Sequence, residues 1–220
     1  MVKRIDALIS GATDEQYSAG LAWYSRFRAL VADLADRHGV SVEQAAGVLA
    51  IVSPRVTVGT SVAIADGVLA GWVAGGEEAA ARTRGGLGER IDAAARWLGG
   101  DEGPLAMDDD GTLTTSRKVR SFWRNILGDT DAVTVDVWAT RAAGATLDQP
   151  SGGGYVAVAE AYRAVARRHG LSPRDVQAIA WCAIRTDVDA AAELEALRGW
   201  LATAPVPQVW TDDVTMVTPI

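Results

Sequence analysis

Helix punctuation recurs along almost the whole of this chain, and it constrains the fold more than any other feature. Residues 13–38 set the pattern. Thr13, Asp14 and Glu15 open a segment in which Leu21, Tyr24, Phe27, Leu30, Val31 and Leu34 form one apolar stripe, and Gly39 closes it. Ser41 caps the next segment, which is apolar nearly all round from Val48 to Val52, and Pro54 stops it. The same reading predicts a helix over 57–73, one or two more within 77–100, and helices over 116–127, 136–144 and 155–169. Ser172-Pro173 opens another through Arg185, and a last one covers 190–202. A glycine-rich loop, "DQPSGGG", precedes Tyr155. Only "AVTV" (132–135) and the tail "PQVWTDDVTMV" read as strand-like. The expected fold class is mainly α, with no repeat at a solenoid period.

Composition narrows the function classes. The 220 residues are 49% hydrophobic, enough for one well-buried domain or two small lobes sharing a core. No uninterrupted apolar run approaches the roughly 18 residues of a membrane span, so no membrane partner is expected. Acidic residues interrupt "MVKRIDALISGATDEQ" before an export signal develops, and an intracellular location is the expectation. The single cysteine, Cys182, excludes an internal disulfide framework, a four-cysteine iron-sulfur cluster and a cysteine-built zinc site, and reads as a small buried hydrophobe. His38 and His169 each precede a glycine at a helix end, where they suit the negative end of the helix dipole, and neither has a ligand-like companion. No metal and no cofactor are expected.

A net charge of -7 argues against a protein that coats nucleic acid through bulk electrostatics, so any such site must be local. Of the 21 basic residues only Lys3 and Lys118 are lysines, which leaves Lys118 as the internal primary amine. Most of the eight tryptophans sit at apolar helical positions and read as core, with Trp138, two residues after Asp136, as the exception. Taken alone, Asp136 reads as a helix N-cap contributing about 1 kcal/mol and Lys118 as a solvated charge at a helix start.

A resemblance places these two residues differently. "AVTVDVWATRAAG" (132–144) looks like the V-D-x-x-x-x-R segment of the helix-hairpin-helix (HhH-GPD) DNA glycosylase superfamily, the endonuclease III group, in which the aspartate is catalytic. "SRKVRSFWRNILGD" sits where that family has its hairpin and following helix, and Lys118, 18 positions before Asp136, falls on the lysine of the bifunctional members. "AGVLAIVSPRVTVGTSVAIADGVLAG" resembles the family's early core helix and the loop after it. "YVAVAEAYRAVARRHGLSPRDVQAIAWCAIR" resembles the two helices after the aspartate. Two departures stand out: the hairpin glycines are absent between Thr112 and Lys118, and so are the cluster cysteines. "KVRSFWRNILGD" followed by "VTVDVWATR" is also similar to a phage branch of the superfamily, the α-glutamyl/putrescinyl thymine pyrophosphorylases, which install amines or amino acids on thymine-derived bases.

The resemblance implies a two-lobed helical fold with a cleft between the lobes. The central lobe covers about 41–127, including the hairpin region 112–127. The second is built from 1–40 and 128–205, with 206–220 as a tail and "EGPLAMDDDG" as the crossing segment. It implies DNA as partner, with a flipped base, and Asp136 and Lys118 as catalytic residues. Arg55, at an inserting position, would contact DNA together with Ser53, Thr115, Ser116, Arg117, Arg120 and Arg124, the hydroxyls of Thr114, Thr115 and Ser116 standing in for the missing hairpin glycines. Trp138 and Arg141 would line the base pocket.

The implied activity is that of a DNA N-glycosylase, extended to AP-lyase activity where the lysine acts. Thymine hypermodification by a phage-type transferase is one alternative, and a non-catalytic DNA- or protein-binding member the other. The chemistry accounts for the residue types. A fixed carboxylate stabilises the positive charge that builds on the sugar as the base departs. An amine can attack C1′ once its pKa is lowered from about 10.4, whereas an arginine stays protonated. Extruding the base costs a few kcal/mol, which phosphate contacts and an inserted side chain must offset.

Overall fold

In the computed structural model, residues 1–83, 87–101, 105, 117–146, 153–185 and 190–203 are described. Among them the chain is mainly helical, with ten helices and no strand. These are α1 (Val2–Gly11), α2 (Asp14–His38), α3 (Val42–Val52), α4 (Val58–Ala81), α5 (Gly88–Leu98), α6 (Arg117–Leu127), α7 (Val137–Ala142), α8 (Gly153–His169), α9 (Pro173–Ile184) and α10 (Ala190–Thr203). Ser41, Thr57, Asp136 and Ser172 are N-caps whose side chains accept backbone N–H groups, Ser41 within a full capping box. Over the described residues the chain divides into two compact units, one drawn from Met1–Phe27 and Arg120–Leu194, the other from Arg28–Val119 and Glu195–Ile220.

In the second unit α3, α4 and α5 pack on one another. The all-round apolar pattern of α3 is matched by burial of every residue from Ala45 to Val52. Gly47 is there because a Cβ would lie 2.1 Å from the Trp97 indole nitrogen of α5, which instead donates to the Gln44 carbonyl at 3.2 Å. By length and composition α4 could cross a membrane, yet Asp66 and most of its first half are buried against this unit's core. The helix expected over 57–73 breaks at Gly75–Gly76, within two residues of its expected end, where φ of +69° at Gly76 suits glycine; a short helical stretch to Ala81 follows, in line with the further helices expected within 77–100.

In the first unit α1, α7, α8 and α9 enclose a core that includes Ile5, Ile9, Val133, Val135, Tyr162, Val165, Val176 and Ile179. The opening residues, read only for an export signal, form α1, whose Ile5 and Ile9 are buried one turn apart. Trp23 packs at 4.7 Å from Trp181 and edge-on to Phe27, while Phe27 meets Phe122 edge-on. α8 begins at Gly153, so the last two glycines of "DQPSGGG" are helical. Trp23 and Trp181 are buried, whereas Trp72, Trp97, Trp123, Trp138 and Trp200 are only half-buried, fewer indoles in the core than periodicity suggests. Cys182 is buried, and burial pushes its thiol up to about 11.

The strand-like reading of "AVTV" is corrected: residues 132–135 form no strand, and side chains bind their backbone. The strand-like tail lies outside the described residues, as does the crossing segment "EGPLAMDDDG" apart from Leu105.

Replacing Gly47 by alanine is expected to destabilise the protein by about 2 kcal/mol, because the overlap with the Trp97 ring outweighs the gain in helix propensity. The urea midpoint reads this, and an unchanged or raised midpoint would contradict the packing.

Candidate functional site

α6 ends where residues 128–136 begin, and one residue on its buried face organises that segment. Asn125, fully buried, donates through Nδ2 to the carbonyls of Asp129 (2.8 Å) and Ala132 (2.9 Å) and accepts through Oδ1 from the Thr134 hydroxyl (2.8 Å). The Asp129 carboxylate accepts the backbone N–H groups of Asp131 and Ala132 at 2.8 and 3.1 Å. Tyr155 of α8 takes the next span. Its hydroxyl donates to the Val133 carbonyl at 2.6 Å, accepts the Val135 N–H at 3.3 Å and lies 3.0 Å from Ser121 Oγ. Buried backbone that would need a sheet is satisfied here by an amide, a phenol and a carboxylate.

This segment delivers Asp136 to the start of α7. Its Oδ1 accepts the Ala139 N–H at 2.7 Å, and its carbonyl accepts the Thr140 hydroxyl at 2.8 Å. Tyr162 secures the same turn by donating to the Ala139 carbonyl at 3.0 Å. The half-buried carboxylate lies close enough to three phenols to act on their ionisation. Burial raises Tyr24, Tyr155 and Tyr162 above the ordinary value of 10.0, and the Asp136 charge adds to the rise. All three stay neutral. Tyr24 donates to Gln177 Oε1 at 2.8 Å.

Two residues on, the half-buried Trp138 ring carries two cations: the Arg141 guanidinium at 4.7 Å and that of Arg185, which caps the C-terminal end of α9, at 4.8 Å. Arg185 also lies 5.0 Å from the Trp181 ring. Each contact contributes about 0.5–1 kcal/mol at a partly exposed position. Trp138 and Arg141, expected as pocket partners, do meet.

In the other unit Lys118 Nζ donates to Ser53 Oγ at 3.0 Å, while Ser53 donates its own proton to the Ala50 carbonyl. Arg90 donates to the neighbouring Pro54 carbonyl. These contacts hold the turn in which the exposed Arg55 adopts φ +64°, a left-handed conformation that costs a non-glycine residue about 1–2 kcal/mol. Arg117 and Arg120 are half-buried, and Arg124 is exposed and paired with Asp129. Thr115 and Ser116 lie outside the described residues. Lys118 and Asp136 belong to different units.

Sequence reasoning missed a buried ionic cluster. The fully buried Asp66 of α4 takes His38 Nε2 at 2.7 Å and Arg37 Nε at 3.0 Å, both on Oδ1. An aspartate inside the apolar run 62–73 of α4 was the available signal. His169 likewise pairs with Asp6 at 2.8 Å, so both histidines have acidic companions. Among the described residues no three His, Cys, Asp or Glu side chains group as metal ligands.

The fold and this geometry define a mainly helical protein with an aspartate anchored at a helix start beside an arginine-bearing indole. The chain belongs to a family whose model spans residues 1–188, described as a family of unknown function (DUF7178). No curated protein and no solved structure matches the chain.

Asn125→Ala strands buried carbonyls and is expected to cost about 3 kcal/mol, and Tyr155→Phe about 1–2 kcal/mol, in denaturant unfolding. Partial burial pushes the Asp129 carboxyl up, but the N–H groups of Asp131 and Ala132 and the Arg124 guanidinium outweigh it and hold it below the ordinary 3.8. A depressed carboxyl stabilises the fold above its unfolded value and loses that effect as pH falls through its folded value. Part of the stability lost below about pH 4 should therefore vanish in Asp129→Asn. An identical acid slope in the variant would contradict this.

Proposed function

We propose that this protein acts on a base in DNA, as an N-glycosylase of the helix-hairpin-helix type with a two-lobed fold whose cleft receives an extruded nucleotide. One observation carries the reading: Asp136 is fixed in advance, by its cap bond and by the side chains that bind the segment before it. Preorganisation is what electrostatic stabilisation of a developing charge requires. As the bond between C1′ and the base breaks, its electron pair leaves with the base and positive charge spreads over C1′ and the ring oxygen, which the carboxylate stabilises. Water completes simple hydrolysis, with Asp136 accepting its proton. Attack on C1′ by the unprotonated amine of Lys118 gives instead a Schiff base after the sugar ring opens. Arg55, Ser53, Arg117, Arg120 and Arg124 contact phosphates around the site.

A second reading is supported by the bond from Lys118 to Ser53, which occupies the lysine in holding a loop. Chemistry centred on Asp136 alone suits a transferase that modifies a thymine-derived base with an amine or amino acid, in the manner of the phage enzymes.

Borohydride trapping on a panel of damaged and modified DNA tests the first reading. A covalent complex is expected with the natural protein and not with Lys118→Gln, and base release is expected to fall at least about a hundredfold in Asp136→Asn. No trapping and no base release across the panel would count against it. Mass gain on DNA bearing an activated hydroxymethylpyrimidine, given an amine donor and lost in Asp136→Asn, would establish the second. Tight DNA binding with neither reaction would point to a non-catalytic member.

A further inference from the structure

We infer that Arg90 is a positioning residue, one that holds the turn between α3 and α4 in a strained form so that Arg55 is presented to DNA. The inference rests on the reading of this protein as one that acts on DNA, and it concerns a residue to which that reading gives no part. Among the described residues Arg55 is the only non-glycine residue with a positive φ, +64°. Its side chain is exposed. Such backbone is costly for a residue with a Cβ, and it persists only where the surrounding structure leaves no easier choice. Glycine would adopt it freely. An arginine in this place is therefore accounted for by its side chain, not by the turn.

The turn is fixed at both of its ends. Ser53 closes α3 in right-handed helical backbone, and its hydroxyl donates to the Ala50 carbonyl at 3.0 Å. Thr57 opens α4 by accepting the Thr60 N–H at 3.2 Å. Only Pro54, Arg55 and Val56 lie between, and the Pro54 ring fixes its own φ. Arg90 of α5 acts on the freedom that is left. Its guanidinium donates to the Pro54 carbonyl, and among the described residues it pairs with no carboxylate. That carbonyl belongs to the planar peptide joining Pro54 to Arg55, so holding its oxygen holds the plane against which φ of Arg55 is set. Lys118 of α6 adds a second tie by donating to Ser53 Oγ at 3.0 Å. An arginine whose backbone is held in advance loses less ordering entropy on meeting a DNA phosphate than one on a free loop.

Lys118 is also the candidate nucleophile, so Arg90 is the tie that can be varied apart from the chemistry. Fluorescence anisotropy with a short labelled duplex bearing a tetrahydrofuran abasic site is run on the full natural chain and on Arg55→Gln, Arg90→Gln, Arg90→Lys and the Arg55→Gln, Arg90→Gln double variant, with urea unfolding of each. Arg55→Gln is expected to weaken binding about tenfold and Arg90→Gln about fivefold. Because Arg90 acts through Arg55, the double variant is expected to bind no more weakly than Arg55→Gln alone. Arg90→Lys keeps a donor for the carbonyl and should restore most of the loss. Losses that add in the double variant would overturn the inference, since Arg90 would then touch DNA itself, and so would undiminished binding in Arg90→Gln; both leave the DNA reading standing. Absence of binding by the natural protein would overturn the DNA reading and the inference with it. Arg55→Asn tests the strain without altering Arg90: asparagine tolerates left-handed backbone, so the urea midpoint is expected to hold or rise while binding falls about tenfold. A lowered midpoint would make Arg55 a residue of the fold and overturn the inference.

Discussion

Everything proposed for the first unit depends on how residues 129–136 keep their backbone satisfied without a sheet. An extended, buried segment has polar groups at every step, and an orphaned one costs about 1–3 kcal/mol. Asn125 meets two of these needs and holds the Thr134 hydroxyl with the same side chain, Tyr155 meets two more, and Asp129 closes the turn between. The segment leads into the core of α1, α7, α8 and α9, and Asp136 emerges at its end already bonded to α7. The carboxylate's position is thus a product of core packing.

The second unit uses polar groups in another way. Its α3, α4 and α5 core is apolar enough to need little beyond shape, as the fit of Trp97 over Gly47 illustrates. Yet it buries Asp66 with His38 and Arg37. Such a cluster adds little net stability because desolvation offsets attraction, but losing one partner is costly. Arg198 on Asp33 and Arg37 on the Leu201 carbonyl tie the described part of α10 to the same stretch of α2.

Local features were legible in the sequence, and remote ones were not. Ser41, Ser172 and Asp136 announced their helices because a cap acts within three residues. α1 escaped because Met1 offers no side-chain cap bond. "AVTV" misled because β-branched residues report a preference for extended backbone, whereas the partner that backbone finds is set by Asn125 and by Tyr155, 20 residues past Val135. His38 was read through its own helix end, and its true partner sits 28 residues on. Of the candidate site, sequence named Asp136, Trp138, Arg141, Lys118 and Ser53. It did not name Arg185, which reaches Trp138 only through the packing of α9.

The amides of Val135 and Ala139 bracket Asp136, and each has a side-chain oxygen as its partner, the Tyr155 phenol for one and the Asp136 carboxylate for the other. In a ladder such an amide is held by a neighbouring strand; here the Val135 amide is held by a phenol that is itself packed in the core, so exposing it means moving Tyr155 out of that core. Hydrogen exchange at Val135 would therefore report on the packing of α8 as much as on the segment itself.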